Sequence, residues 1–83
     1  MNEEELDKII KMAIKTLESN GYSLSKYESV EVFTKDNYNL ILSFSNFYNP
    51  SMIFRVFVLK ENDKYYVIAN NNKYELKEVD KNE

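Results

Sequence analysis

The 83 residues include 11 basic and 14 acidic side chains, a single arginine, and neither histidine nor cysteine. That length holds one core and no more, and the missing cysteine removes disulfides and thiolate metal sites as sources of stability. A net charge of −3 argues against direct nucleic-acid binding, which needs a basic patch.

The start, Met1-Asn2-Glu3-Glu4-Glu5, is acidic where a secretory leader would be basic and then apolar. No apolar run approaches the roughly 20 residues of a membrane span. The expectation is a cytoplasmic protein with no membrane association. Heavy use of Asn, Lys, Ile and Tyr beside one Gly and one Pro points to an AT-rich genome, such as that of a low-GC bacterium or its phages.

A helix is predicted over residues 3–19. Asn2 and Glu5 have the spacing of a capping box, and the three glutamates suit the positive end of a helix dipole. Leu6, Ile9, Ile10, Ala13, Ile14 and Leu17 form one apolar stripe at helical spacing. Glu4 with Lys8 and Asp7 with Lys11 are spaced to pair on the wet side. Gly21 is the natural left-handed residue to end it.

Residues 22–26 read as a linker, and strands are predicted over 28–34, 38–45, 52–60, 65–69 and 74–79. A three-residue turn at Lys35-Asp36-Asn37 would pair Val32 with Leu40 and Val30 with Leu42, keeping those side chains on one face. Residues 46–51 form the longest predicted loop. A two-residue hairpin at Asn62-Asp63 sets Glu61 opposite Lys64 and Val58 opposite Val67. A second two-residue turn within Asn70-Asn71-Asn72 keeps Tyr65, Val67, Ala69, Tyr74 and Leu76 together, and residues 80–83 are a frayed tail.

The third strand is the most informative. Seven of the eight residues from Met52 to Leu59 are apolar, rich in aromatic and β-branched types. Alternation sends Phe54, Val56 and Val58 to one face and Ile53, Arg55, Phe57 and Leu59 to the other. The fold class expected is therefore α+β: one N-terminal helix packed on a strongly curved antiparallel meander of four or five strands. The inner face takes Val30, Val32, Leu40, Leu42, Phe44, Phe54, Val56, Val58, Tyr65, Val67, Ala69, Tyr74 and Leu76. Cystatin-like folds share this coarse order of elements. None of their binding motifs occurs here, and the sequence is assigned to no family.

Missing His and Cys remove the commonest general base, the commonest metal ligand and the best nucleophile. The carboxylates fall mostly in turns and on wet edges, with no EF-hand spacing and no glycine-rich phosphate loop. No catalytic site, metal or cofactor is expected. The outer face is a different matter. It gathers Ile41, Ile53, Phe57, Leu59, Tyr66 and Ile68 around Arg55, with Ser43, Ser45, Glu75 and Lys77 at its margins. Large apolar patches are rare on monomers, and aromatic residues with an arginine have the composition of an interface hot spot. Phe47 and Tyr48 are the secondary candidates. Alternatively, curvature folds this face into a second small core beneath the 46–51 loop.

These residues point to a non-enzymatic protein-binding module, an inhibitor or accessory protein that docks on a larger protein. Small size, acidity and AT-rich usage together resemble phage and mobile-element proteins that block host enzymes, anti-CRISPR inhibitors among them. The alternatives are a small-ligand carrier with a pocket between helix and sheet, or self-association through the same sheet.

Overall fold

The computed structural model describes residues 2–36 and 39–78. One helix, α1 (Glu3–Ser19), precedes five strands: β1 (Ser29–Thr34), β2 (Leu40–Asn46), β3 (Asn49–Glu61), β4 (Lys64–Ala69) and β5 (Asn72–Glu75). The strands form one open antiparallel sheet in sequence order, β1 to β5. This is the α+β arrangement the sequence predicts.

Helix α1 begins where its cap allows. The Asn2 side chain accepts the Glu5 N–H at 2.8 Å, satisfying one of the four unpaired amides of the first turn. It ends in a Schellman motif, with Gly21 N–H on the Glu18 carbonyl and Tyr22 N–H on that of Leu17, both at 3.1 Å. The Gly21 φ of +91° is the left-handed conformation this requires. Lys8 pairs with Glu78 across to the chain's C-terminal segment at 3.6 Å, rather than with Glu4 on its own helix.

All of the residues predicted for the inner face join the core cluster. Leu17, Leu40, Leu42, Val56, Val58 and Val67 are fully buried, and burial of each such side chain is worth roughly 1.5–3 kcal/mol. The helix alone does not cover the inner face. Residues 22–27, read from sequence as a linker, complete it: Leu24 is buried and Tyr22 and Tyr27 pack on the core. Tyr22 stacks on Phe54 at 5.6 Å, and Tyr27 lies against Phe44 and Phe54. The Tyr22 hydroxyl donates to the Ala69 carbonyl and lies 3.4 Å from that of Tyr74. The hydroxyl–hydroxyl hydrogen bond between Tyr22 and Tyr74, with burial, raises the Tyr74 phenol above its usual range.

Among the described residues four have positive φ without being glycine: Asn62 and Asp63, then Asn70 and Asn71. Positive φ at both central positions defines the type I′ hairpin, whose twist matches that of the strands. Both turns fall where predicted, pairing Glu61 with Lys64 and Val58 with Val67. The first hairpin differs. Val32 pairs with Leu42 and Val30 with Phe44, two residues away from the predicted register. A two-residue shift preserves the faces, so the core survives the error. Asp36 makes the longer connection possible: its carboxylate accepts the backbone N–H and the side-chain amide of Asn39, both at 2.9 Å.

Two further boundaries are corrected. The 46–51 loop is in fact a two-residue turn, Phe47-Tyr48, with Asn46 paired to Asn49 and a register irregularity between Ser45 and Asn46. Strand β5 covers Asn72–Glu75 rather than 74–79; Leu76 N–H still donates to the Tyr65 carbonyl at 2.9 Å, and Lys77 N–H turns instead to the buried Thr16 hydroxyl at 3.2 Å. The expectations for Tyr38, Val79 and the 80–83 tail lie outside the described residues.

Leu42 sits at the centre of this core. Leu42→Ala is expected to lower stability by about 2–5 kcal/mol in urea denaturation, whereas Glu31→Gln on the exposed face of β1 is expected to stay within about 0.5 kcal/mol of the parent. Equal denaturation midpoints for the two variants would contradict the faces assigned here.

Candidate functional site

With one helix and the 22–27 segment on one side, the other side of the sheet carries no covering element among the described residues. The strand registers line up its side chains in rows. Phe33, Ile41, Phe57 and Ile68 are successive cross-strand neighbours on β1 to β4, a continuous apolar row that ends at Lys73 on β5. One step along β3, Leu59 faces Tyr66, which in turn faces Glu75. In the other direction Arg55 faces Ser43 and then Glu31, and beyond it Ile53 faces Ser45.

This face is open. Phe33, Ile53 and Phe57 are 49%, 47% and 47% exposed, while Ile41, Leu59, Tyr66 and Ile68 are half-buried by one another. The 46–51 segment does not cover it: Phe47 and Tyr48 stand 67% and 93% exposed at the tip of their turn. A second core beneath that segment is thereby overturned. The sheet remains open because β1 and β5 are both unpaired edges, so the outer face does not close on itself.

Charge is arranged at one margin. The Lys73 ammonium lies 4.6 Å from the centre of the Tyr66 ring and also pairs with Glu61, and Lys64 pairs with Glu75 at 3.9 Å. These exposed pairs contribute little energy, but they give the β4–β5 end of the face a polar rim. Among the described residues no ion pair engages Arg55. Its stem separates Phe57 from Ile53 along β3, where it extends the apolar surface while the guanidinium stays in water.

The sequence reading places Ile41, Ile53, Arg55, Phe57, Leu59, Tyr66 and Ile68 on one face, and the structure brings them together there. It adds Phe33, which sequence reasoning missed although strict alternation with Val30 and Val32 marks it as outward. It removes Lys77, which lies beyond β5. Phe47 and Tyr48 form a separate feature at the end of the β2–β3 hairpin.

That turn is tightly held. Asn46 Oδ1 accepts the N–H groups of Tyr48 and Asn49 at 2.9 and 3.0 Å, and its amide donates to the Lys26 carbonyl. A Glu28 carboxylate oxygen accepts the Phe47 N–H at 2.8 Å. Two exposed aromatic side chains are thus presented on a fixed backbone.

Surface grooves of about 250–270 Å³ lie along the edges of the helix–sheet layer, while the layer itself is filled by the core residues named above. Among the described residues no cluster of three or more acidic side chains is placed to hold a metal ion, and no helix is long and apolar enough to cross a membrane. The fold defines the class, a single helix on an open five-stranded antiparallel meander. No family model, curated protein or solved structure matches the chain.

Because Asn46 joins both strands of the hairpin end to residues 26 and 28, Asn46→Ala is expected to cost about 1–2 kcal/mol. It should also raise amide exchange at Phe47 and Tyr48 well above that of the β3 centre, measured by hydrogen–deuterium exchange. Unchanged exchange there would show that the turn does not depend on Asn46.

Proposed function

We propose that this protein is a non-enzymatic binding module, an inhibitor or accessory protein that docks on a larger protein through the outer sheet face. The observation that carries the reading is the solvent-open row Phe33–Ile41–Phe57–Ile68 with Arg55 beside it and a polar rim at one end. An apolar centre with charged margins is the anatomy of a protein interface. The inhibitor half of the reading rests on small size, acidity and AT-rich residue usage without histidine or cysteine, features that resemble those of phage and mobile-element inhibitors.

Within this reading Phe57 supplies apolar area, and Arg55 pairs with a partner carboxylate while its stem packs beside the ring. The filled helix–sheet layer offers no comparable support for a ligand carrier.

Arg55→Ala and Phe57→Ala are each expected to stay within about 1 kcal/mol of the parent in stability, since neither side chain is in the core. Each is expected to weaken the complex with the captured partner by about 2 kcal/mol or more, measured by calorimetry. A dimer in sedimentation that Phe57→Ala dissociates would replace the larger partner with a second copy. Both variants folding and binding at parental affinity would remove the outer face from the interface.

A further inference from the structure

The two edges of the sheet are protected very differently. Strand β5 has four residues, carries Lys73 and is flanked by the Glu61–Lys73 and Lys64–Glu75 pairs. Short length and charge are the usual means of blunting an edge against strand pairing. Strand β1, Ser29–Thr34, has six residues with the sequence SVEVFT, without lysine, proline or a register irregularity in its pairing with β2. The backbone groups on its other side make no hydrogen bond among the described residues.

Beneath that free edge runs a groove of about 250 Å³ between α1 and β1, lined by Ile14, Glu18, Leu24, Tyr27, Val30 and Phe44. Ile14, Tyr27 and Val30 are only half-buried, so apolar surface lies directly under the position a sixth strand would take. Glu31 and Phe33 stand on the opposite face of the same edge. Glu18 and Glu28 flank the groove, and no ion pair among the described residues engages Glu18, Glu28 or Glu31. The nearest lysines in sequence, Lys26 and Lys35, stand beyond the two ends of the strand.

We infer that β1 is a strand-addition site for an extended segment of another protein in which apolar and basic residues alternate. Backbone hydrogen bonds to β1 supply the pairing, and pockets for alternate side chains supply the selection. One set of side chains continues the inner row beside Val30 and Val32 and enters the groove, so it is apolar. The other set lies beside Ser29, Glu31 and Phe33, where the glutamate selects a cation.

A second copy of this chain does not fit that description. Antiparallel pairing of β1 with β1 keeps inner and outer faces matched only in alternate registers. Of the two with the greatest overlap, one sets Glu31 against Glu31 and the other sets each Glu31 against a Phe33 ring. Each copy also brings Glu18 and Glu28 to the joint. Charge thus favours a basic strand over an identical acidic one. The site uses the free backbone edge of β1 and the groove beneath it, and it meets the outer face at Glu31 and Phe33.

A capped heptapeptide of alternating lysine and valine tests this by amide NMR titration of the full chain at low salt. Binding is expected with the largest shifts across Ser29–Thr34 and into Ile14 and Leu24. The peptide of alternating glutamate and valine, and the lysine–valine peptide N-methylated throughout, should each bind at least about tenfold more weakly. Glu31→Lys, at an exposed position, should leave the fold intact and weaken the lysine–valine peptide by a similar factor. The inference is overturned if the N-methylated peptide binds as well as the parent peptide. Shifts centred on Arg55 and Phe57 or on β5 would also overturn it, as would the absence of binding at about 1 mM peptide.

Discussion

Strand alternation gives this sheet two apolar faces, and the chain has one helix to cover them. Every residue on β3 from Ile53 to Leu59 except Arg55 is apolar, so whichever side the helix takes, an apolar row of β3 is left on the other. The helix takes the side that carries Leu42, Val56, Val58 and Val67. Even there it falls short. Tyr22, Leu24 and Tyr27 extend the cover across Phe44 and Phe54. Among the described residues nothing remains for the opposite face, and its character as a candidate interface follows from this shortage rather than from any motif.

The faces hold their identity because the turns hold register. A slip of one residue would exchange core and surface along a whole strand. In a chain with one glycine, Asn and Asp take the left-handed turn positions, since their short polar side chains tolerate positive φ. The two I′ turns therefore lock β3, β4 and β5 in place. The β1–β2 and β2–β3 connections use side-chain bonds instead, from Asp36 to Asn39 and from Asn46 and Glu28 to the Phe47-Tyr48 turn. The second of these also sets the aromatic tip rigidly apart from the sheet face.

What was legible in the sequence was what periodicity and turn chemistry encode. The helix, its caps, the strand order, both I′ turns and the division of β3 into two faces all follow from local pattern. Long-range packing was not legible. Residues 22–27 lack a repeat, so Tyr22, Leu24 and Tyr27 gave no sign of joining the core until their neighbours were known. The β1–β2 register turned on how Asp36 and Asn39 interact, and two registers differing by two residues satisfy the same hydrophobic pattern. The 46–51 segment contains Pro50, a loop signal, yet the proline lies within β3 just past the tight turn. On the candidate face, Phe33 was available from alternation with Val30 and Val32. The free β1 edge with its groove was not, since it depends on how α1 and the 22–27 segment sit against that strand.

The central claim is that one face of the sheet is sealed and the other is wet. Methyl NMR with a soluble gadolinium chelate measures that directly, since relaxation enhancement reports distance from solvent for each side chain. The account predicts strong enhancement at Ile53 and clear enhancement at Ile41 and Ile68, with Leu42, Val56, Val58 and Val67 protected in the same sample. Equal protection of both sets in the monomer would contradict it, because the outer residues would then belong to a core.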